Sequence, residues 1–307
     1  MFSILSITLP IFIIMGMGYF AVRFDLFTME QLSGMGKFVV RIGLPMLVFH
    51  AIATRPMNEV LNLTYLLGYG LASLLSFFIG WGISRWRGQD ATLASLNGLA
   101  NGMSNTGFIG FPLLTMAVGA PAGVFFAMNV LVENMLVLPL MFIMIDAAQG
   151  GGKNIGATLL RIGKNLLKNP IIMALLVSLV FAVFEIPVPG LAEKVSMMLA
   201  SASSPLALFV IGGGLYGLSM RGNLKDIGVI TAGKLLMFPM LVLGCLWLLG
   251  ADKETLFAGA LLASVPMASM YPIFGQQYGF PRETAAAMLA TTLWSFFSIS
   301  LVLAVGH

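Results

Sequence analysis

Charge is scarce in this chain: 16 Lys and Arg and 12 Asp and Glu among 307 residues, or 9%. That is about a third of what a soluble domain carries. A soluble chain of this length would form two domains, and so few charges cannot cover their surfaces. Soluble enzymes and nucleic-acid binders are excluded on that ground. The net charge of +4 is no sign of a nucleic-acid partner, because in a membrane protein the placement of positive charge matters more than its sum. Cysteine occurs once, as Cys245, so a disulfide-stapled secreted domain is excluded as well. The two histidines, His50 and His307, leave no HExxH zinc site. No cysteine cluster and no Walker loop occurs, which argues against a metal centre and against an ATP-driven pump. No catalytic residue and no cofactor is expected.

Apolar residues are what the chain has in excess: 59% of it, with a mean hydropathy of +0.97. Roughly 181 apolar residues are material for about nine or ten membrane-spanning helices. Bounded by charges and turn residues, the apolar runs fall at 3–21, 34–54, 63–84, 91–118, 122–146, 169–187, 195–219, 227–250, 255–279 and 282–305. The first run is not expected to be a cleaved signal peptide. No Lys or Arg precedes it, it is too long for such a segment, and Pro10, Gly16 and Gly18 suit a packed helix.

Numbered from the N-terminus, the odd connections hold Arg23, Arg85, Arg87, Lys153, Arg161, Lys164, Lys168, Arg221, Lys225 and Arg282. The even ones hold Arg55, Lys194 and Lys253, and Lys37, Arg41 and Lys234 fall inside spans. The positive-inside rule then makes the odd loops cytoplasmic and puts both termini outside the cytoplasm of a multi-pass plasma (inner) membrane protein. The connection 147–168 opens with Gln149-Gly150-Gly151-Gly152 and continues with Ile155, Leu159, Leu160, Leu166 and Leu167 among Arg161, Lys164 and Lys168. It reads either as a hinge followed by an interfacial amphipathic segment or as a plain linker with snorkelling lysines.

A repeat runs through the chain at an offset of 160 residues. Pro10, Pro45, Pro112 and Pro121 return as Pro170, Pro205, Pro272 and Pro281. Phe111-Pro112 matches Tyr271-Pro272, Gly119 matches Gly279, Ser104 matches Ser264, and Ala127-Met128 matches Ala287-Met288. Two halves, 1–146 and 169–307, joined by the cytoplasmic linker 147–168, each hold five spans. An odd number inverts the second copy relative to the first, an architecture of secondary transporters. The fold expected is an all-α polytopic membrane protein of ten transmembrane helices in two inverted five-helix repeats.

The fourth span, from Leu96 to Pro112, contains Asn97, Gly98, Asn101, Gly102, Ser104, Asn105, Thr106, Gly107 and Gly110. Its partner runs Ser264-Val265-Pro266-Met267-Ala268-Ser269-Met270-Tyr271-Pro272. Glycine and proline weaken a helix, and unpaired backbone at membrane depth is tolerated only inside protein or along a wet cavity. Two interrupted spans at equivalent positions point to a binding site. Half-helix N-termini at such a crossing favour an anion. The candidate substrate residues are Asn101, Ser104, Asn105, Thr106, Gly107, Gly110, Pro112, Ser264, Pro266, Ser269, Tyr271 and Pro272.

Charges within spans are costly and stand as functional candidates. Lys37 snorkels to the cytoplasmic end. Arg41, on the same helical face as Lys37 and Pro45 by spacing, either attracts an anion or pairs with lipid phosphate. Lys234 lies about eight residues into its span, roughly 12 Å along the axis, and calls for a partner. Glu133 is the natural one; in the alternative, Lys234 stands in for a coupling cation or Glu133 carries a proton. His50 reads as a packed neutral histidine, and the 22 methionines as adaptable packing.

The stretch Ser104-Asn105-Thr106-Gly107-Phe108-Ile109-Gly110-Phe111-Pro112-Leu113 resembles the fourth-helix motif of the auxin efflux carrier family, which includes plant PIN-type exporters and bacterial malonate or malate carriers. Lys37…Arg41…Leu44-Pro45…Phe49, Gly233-Lys234-Leu235…Pro239 and Pro272…Tyr278…Pro281 resemble it too. The resemblance implies the bile-acid/sodium symporter-like fold, with broken crossover helices 4 and 9. Spans 1, 2, 6 and 7 would form a scaffold, through which a homodimer would form. Spans 3–5 and 8–10 would form a transport domain working as an elevator, with substrate beside the crossing. No pair of intramembrane aspartates occurs, which argues against a close copy of the sodium/proton antiporters.

The function expected is a secondary active or facilitative carrier of a small organic anion, a mono- or dicarboxylate, in contact with membrane lipid. A sodium- or proton-coupled symporter of another small solute is the alternative. A non-transporting membrane sensor would call for a cytoplasmic signalling module, which the short loops cannot house.

Overall fold

A computed structural model describes residues 2–55, 60–119, 121–150, 155–218 and 223–306. Lys153 and Arg221 of the charge pattern, Gly151 and Gly152 of the linker, and His307 lie outside the described residues, as do the side chains of Ile155, Leu159 and Arg161. The described chain is helical: α1 (Phe2–Arg23), α2 (Met29–Ala53), α3 (Leu63–Trp86), α4 (Ala91–Gly102), α5 (Thr106–Val118), α6 (Ala122–Ala148), α7 (Ile155–Lys168), α8 (Pro170–Val183), α9 (Gly190–Gly214), α10 (Leu224–Leu248), α11 (Lys253–Ser264), α12 (Tyr271–Gln277) and α13 (Pro281–Gly306). Among the described residues, seven of these are long and apolar enough to cross a membrane: α1, α2, α3, α6, α9, α10 and α13.

The helix starts have local causes. Thr28 and Gln31 cap α2 reciprocally, the Thr28 hydroxyl accepting from the Gln31 N–H and the Gln31 side chain from the Thr28 N–H. The Asp90 carboxylate accepts from the Thr92 N–H at 2.7 Å, and Asp252 from Thr255 at 2.8 Å, so α4 and α11 open on the same kind of cap. Both are 12 residues long.

Among the described residues, four helices contain a π-turn: Val39–Gly43 in α2, Thr106–Gly110 in α5, Glu133–Val137 in α6 and Gly233–Met237 in α10. Each is followed, one residue on, by proline: Pro45, Pro112, Pro139 and Pro239. Proline offers no N–H, and its ring collides with the carbonyl four residues back. A wide turn at that carbonyl removes the collision. Pro10 and Pro205 lie within α1 and α9 without one, so proline permits the turn and does not dictate it. In α2, Pro45 is buried while Lys37 and Arg41 are exposed.

The chain divides into two compact units. The first comprises Met1–Leu63, Thr106–Val130 and Asn165–Gly217. In it α1 and α9 approach backbone to backbone, with Gly18 against the Phe209 carbonyl and Gly212 against that of Met15, leaving no room for a Cβ. Gly16 has open space around it, so only Gly18 of the two α1 glycines is needed for this contact. α8 packs on α2, where the Phe49 and Phe181 rings meet edge to face at 5.3 Å.

The second unit comprises Thr64–Asn105, Leu131–Lys164 and Leu218–His307. Its core joins Phe77 of α3; Leu96, Leu99 and Ala100 of α4; Val137, Met141 and Ile145 of α6; Ile230 of α10; and Met267, Ala268 and Tyr271. Gly68 and Gly259 both close on the Leu246 side chain, drawing α3 and α11 onto α10. The core therefore surrounds the segments where α4 and α11 end.

Gly119 and Gly279, 160 residues apart, both have positive φ, 70° and 91°, a conformation that glycine alone adopts readily. The two interruptions differ in length. Three residues, Met103–Asn105, separate α4 from α5, whereas six, Val265–Met270, separate α11 from α12.

Candidate functional site

In the second unit the two interruptions cross. Ser104 and Met267 form an antiparallel bridge, and the Asn105 N–H donates to the Pro266 carbonyl at 2.8 Å. Backbone left unpaired by the helix breaks is thus satisfied, segment against segment.

Ser104 is the hub of this crossing. Its N–H donates to Oε1 of Glu133 at 3.0 Å, and its Oγ accepts from Nζ of Lys234 at 2.7 Å. The Tyr69 hydroxyl lies 3.3 Å from the same Oγ. Lys234 is 0% exposed and Glu133 3%, so neither charge is relieved by solvent. The Lys234 ammonium also sits over the Phe238 ring, 4.2 Å from its centroid. Both charges lie in π-turns, Glu133 opening that of α6 and Lys234 standing second in that of α10. The pairing expected between them runs at least in part through Ser104.

The remaining candidates of this unit divide by task. Asn105 donates from Nδ2 to the Ser269 hydroxyl at 2.8 Å, and Ser269 is half-exposed, so this pair borders accessible space. Asn101 is wedged between Gly80 and Gly233, where a Cβ at either glycine would strike its amide. Its Nδ2 donates to the Asn97 carbonyl, its backbone carbonyl accepts from Ser76 Oγ, and its buried Oδ1 accepts no hydrogen bond among the described residues. The Tyr271 hydroxyl donates to Oδ1 of Asn97 at 2.7 Å, and Asn97 donates in turn to Ser84 and Gln89. Ser264 is fully buried; its hydroxyl donates to the Leu261 carbonyl and its own carbonyl accepts from Ser298 Oγ. Asn101, Ser264 and Tyr271 therefore hold the crossing in shape, Pro266 supplies a paired carbonyl, and Pro272 lies in the first turn of α12.

Thr106, Gly107, Gly110 and Pro112 belong to the first unit. Thr106 Oγ1 accepts from Asn129 Nδ2 at 3.0 Å, with both side chains buried. A Cβ at Gly107 would press on Leu44 at 2.9 Å. Arg41 is exposed in that unit, and His50 lines a cavity of about 600 Å³ with Arg55, Thr115 and Ser201.

Tyr69, Phe238, Asn97 and Asn129 are not singled out as candidates by the sequence. Tyr69 stands four residues after Tyr65 in α3, and their rings stack at 5.4 Å, but an aromatic pair at helical spacing reads as packing.

Apolar spans, interrupted helices, and a buried lysine and glutamate that both bond Ser104 at the crossing fit a multi-pass helical membrane protein. The chain matches, over residues 3–303, the family described as "Membrane transport protein", and it belongs to that family. It is 29% identical over 305 residues to a putative malonate transporter of Rhizobium meliloti (strain 1021), an alignment covering 98% of this chain and 95% of that protein. It is 24% identical over 294 residues to the uncharacterized transporter YfdV of Escherichia coli (strain K12), covering 94% and 92%. Auxin efflux carrier component 2 of Oryza sativa subsp. japonica is 28% identical over 155 residues, 47% of this chain and 24% of that protein. The family resemblance read from the fourth span is borne out, and the chain is a transport protein rather than an enzyme.

Proposed function

We propose that this protein is a secondary carrier of a small organic anion, a mono- or dicarboxylate. The observation that carries the reading is the crossing at Ser104, Asn105, Pro266 and Met267, with the half-exposed Asn105–Ser269 pair at its edge. Two hydrogen-bonding side chains on interrupted helices suit a carboxylate, which accepts at both oxygens. The relative named a putative malonate transporter supports this substrate class.

In this reading the chain crosses the inner membrane ten times. α4 with α5, and α11 with α12, each make one crossing, and α8 another, in two inverted repeats (1–146 and 169–307) joined by the linker 147–168. Both termini lie outside the cytoplasm. Spans 3–5 and 8–10 carry the substrate as an elevator against a scaffold of spans 1, 2, 6 and 7, where two copies would dimerise. The 160-residue repeat and the shared Gly119 and Gly279 turns support the inversion.

The test is uptake into proteoliposomes of labelled malonate and other carboxylates against neutral and cationic solutes. Carboxylate uptake is expected, weakened severalfold by Asn105→Ala and Ser269→Ala while the protein remains monodisperse. Movement of cations or neutral solutes without any carboxylate would overturn the proposal.

A further inference from the structure

A lysine ammonium with no solvent contact, inside a membrane helix, persists only where its surroundings are arranged for a cation. Around Lys234 they are. The π-turn Gly233–Met237 carries it, and Gly233 brings α10 close enough to rest against the Asn101 amide. The ammonium reaches Ser104, two residues beyond the last residue of α4. It therefore lies at the negative end of that half-helix dipole, where the final carbonyls lack intrahelical donors. Phe238 offers its ring face, and the Glu133 carboxylate holds the Ser104 N–H. Hydroxyl, aromatic face, carboxylate and helix C-terminus are the groups that gather round a positive charge.

In ion-coupled carriers, unwound backbone and half-helix C-termini at this kind of interruption coordinate a free sodium ion or proton. Here the position is filled from the chain itself. We propose that Lys234 is a resident cation: its ammonium takes the place of a free coupling ion and holds the Ser104 segment in shape, so that the carrier works without sodium. The proposal rests on the carrier reading and deepens it. Lys234 is a positioning residue, acting on substrate through Ser104 and its neighbour Asn105. One ammonium and one carboxylate already balance within this buried cluster, and a second cation beside Lys234 would leave a positive charge without compensation.

The experiment uses the full-length protein in detergent and in proteoliposomes. Melting temperature is recorded in sodium, N-methylglucamine and methylammonium chlorides at equal ionic strength, with no carboxylate present. The wild-type value is expected to be the same in all three. Lys234→Ala is expected to melt lower and to be raised by methylammonium, which restores an ammonium to the vacated space. Lys234→Gln, which fills much of that space, is the second variant should the alanine form not purify folded. In proteoliposomes, wild-type malonate uptake is expected to be equal with sodium or N-methylglucamine outside. Lys234→Arg is expected to be slower and still indifferent to sodium.

Stabilisation of the wild type by sodium would overturn the proposal. So would sodium-driven uptake, or neutral variants that melt and transport as the wild type does in every salt. Because the melting arm contains no carboxylate, it decides on Lys234 even if no carboxylate moves. Absence of carboxylate flux beside a rescued Lys234→Ala would instead sink the anion-carrier reading alone.

Discussion

At the scale of single residues, what the sequence makes legible is whatever contrasts with an apolar run. Lys234 and Glu133 stand out because charge inside a span demands an explanation, and both prove buried at one crossing. Ser104 and Asn105 stand out because a helix would not be written through so many asparagines and glycines. Tyr69, Phe238 and Asn129 do not stand out, since an aromatic or an amide in a span carries no mark of which distant residue it faces. Asn101 stands out as a polar residue of the fourth span, but its sequence context does not show that Gly80 and Gly233 close on it from two sides. Tyr271 offers a direct check on the crossing's framework. Tyr271→Phe removes the donor to Oδ1 of Asn97 and leaves a buried acceptor unpaired, which should cost about 1–3 kcal/mol. The melting temperature in detergent is expected to fall accordingly, and an unchanged value would remove this bond from the account.

At the scale of elements, the spans are readable because length and hydropathy are local properties. The caps are readable as well: Thr28-x-x-Gln31 and the aspartates before α4 and α11 sit where helices start. The π-turns are not, because a proline within a span shows that the ladder is disturbed but not how. Asp252 makes a prediction about an element end. Hydrogen bonds from the Thr255 hydroxyl and N–H hold its carboxyl below the usual carboxylate range, against a smaller opposing effect of burial. A depressed folded-state pKa contributes stability that is fully present above the unfolded value and lost as pH falls through the folded value. Asp252→Ala should therefore lower the melting temperature at neutral pH, by the equivalent of about 0.5–2 kcal/mol for a lost cap. The gap between variant and wild type should narrow as pH drops below the unfolded carboxylate value, and a gap independent of pH would show that the charge contributes nothing.

For the whole molecule, the proposed reading ties orientation to the distribution of basic residues. Ten lie in odd connections and three in even ones, so under the positive-inside rule the proposed ten-span arrangement puts the odd side in the cytoplasm. Cys245 is buried and is the chain's one cysteine, so replacing it by alanine gives a clean background. In that background Trp86→Cys, next to Arg85 and Arg87, should react with an impermeant maleimide only after cells are opened. Lys253→Cys should react in intact cells. The reverse pattern would invert the topology, and reaction of both in intact cells would break the alternation on which the ten-span reading depends. The four π-turns also have a bearing on how such a chain tolerates change in length. Each holds one residue more than a regular α-helical turn, so each is a place where a single residue can be gained or lost without tearing the helix. What shifts is the rotational phase of everything beyond it, prolines included. Related chains that differ by one residue at the turns of α6 and α10 would keep both helices and yet present a different side chain to the crossing, altering what the carrier accepts with its framework unchanged.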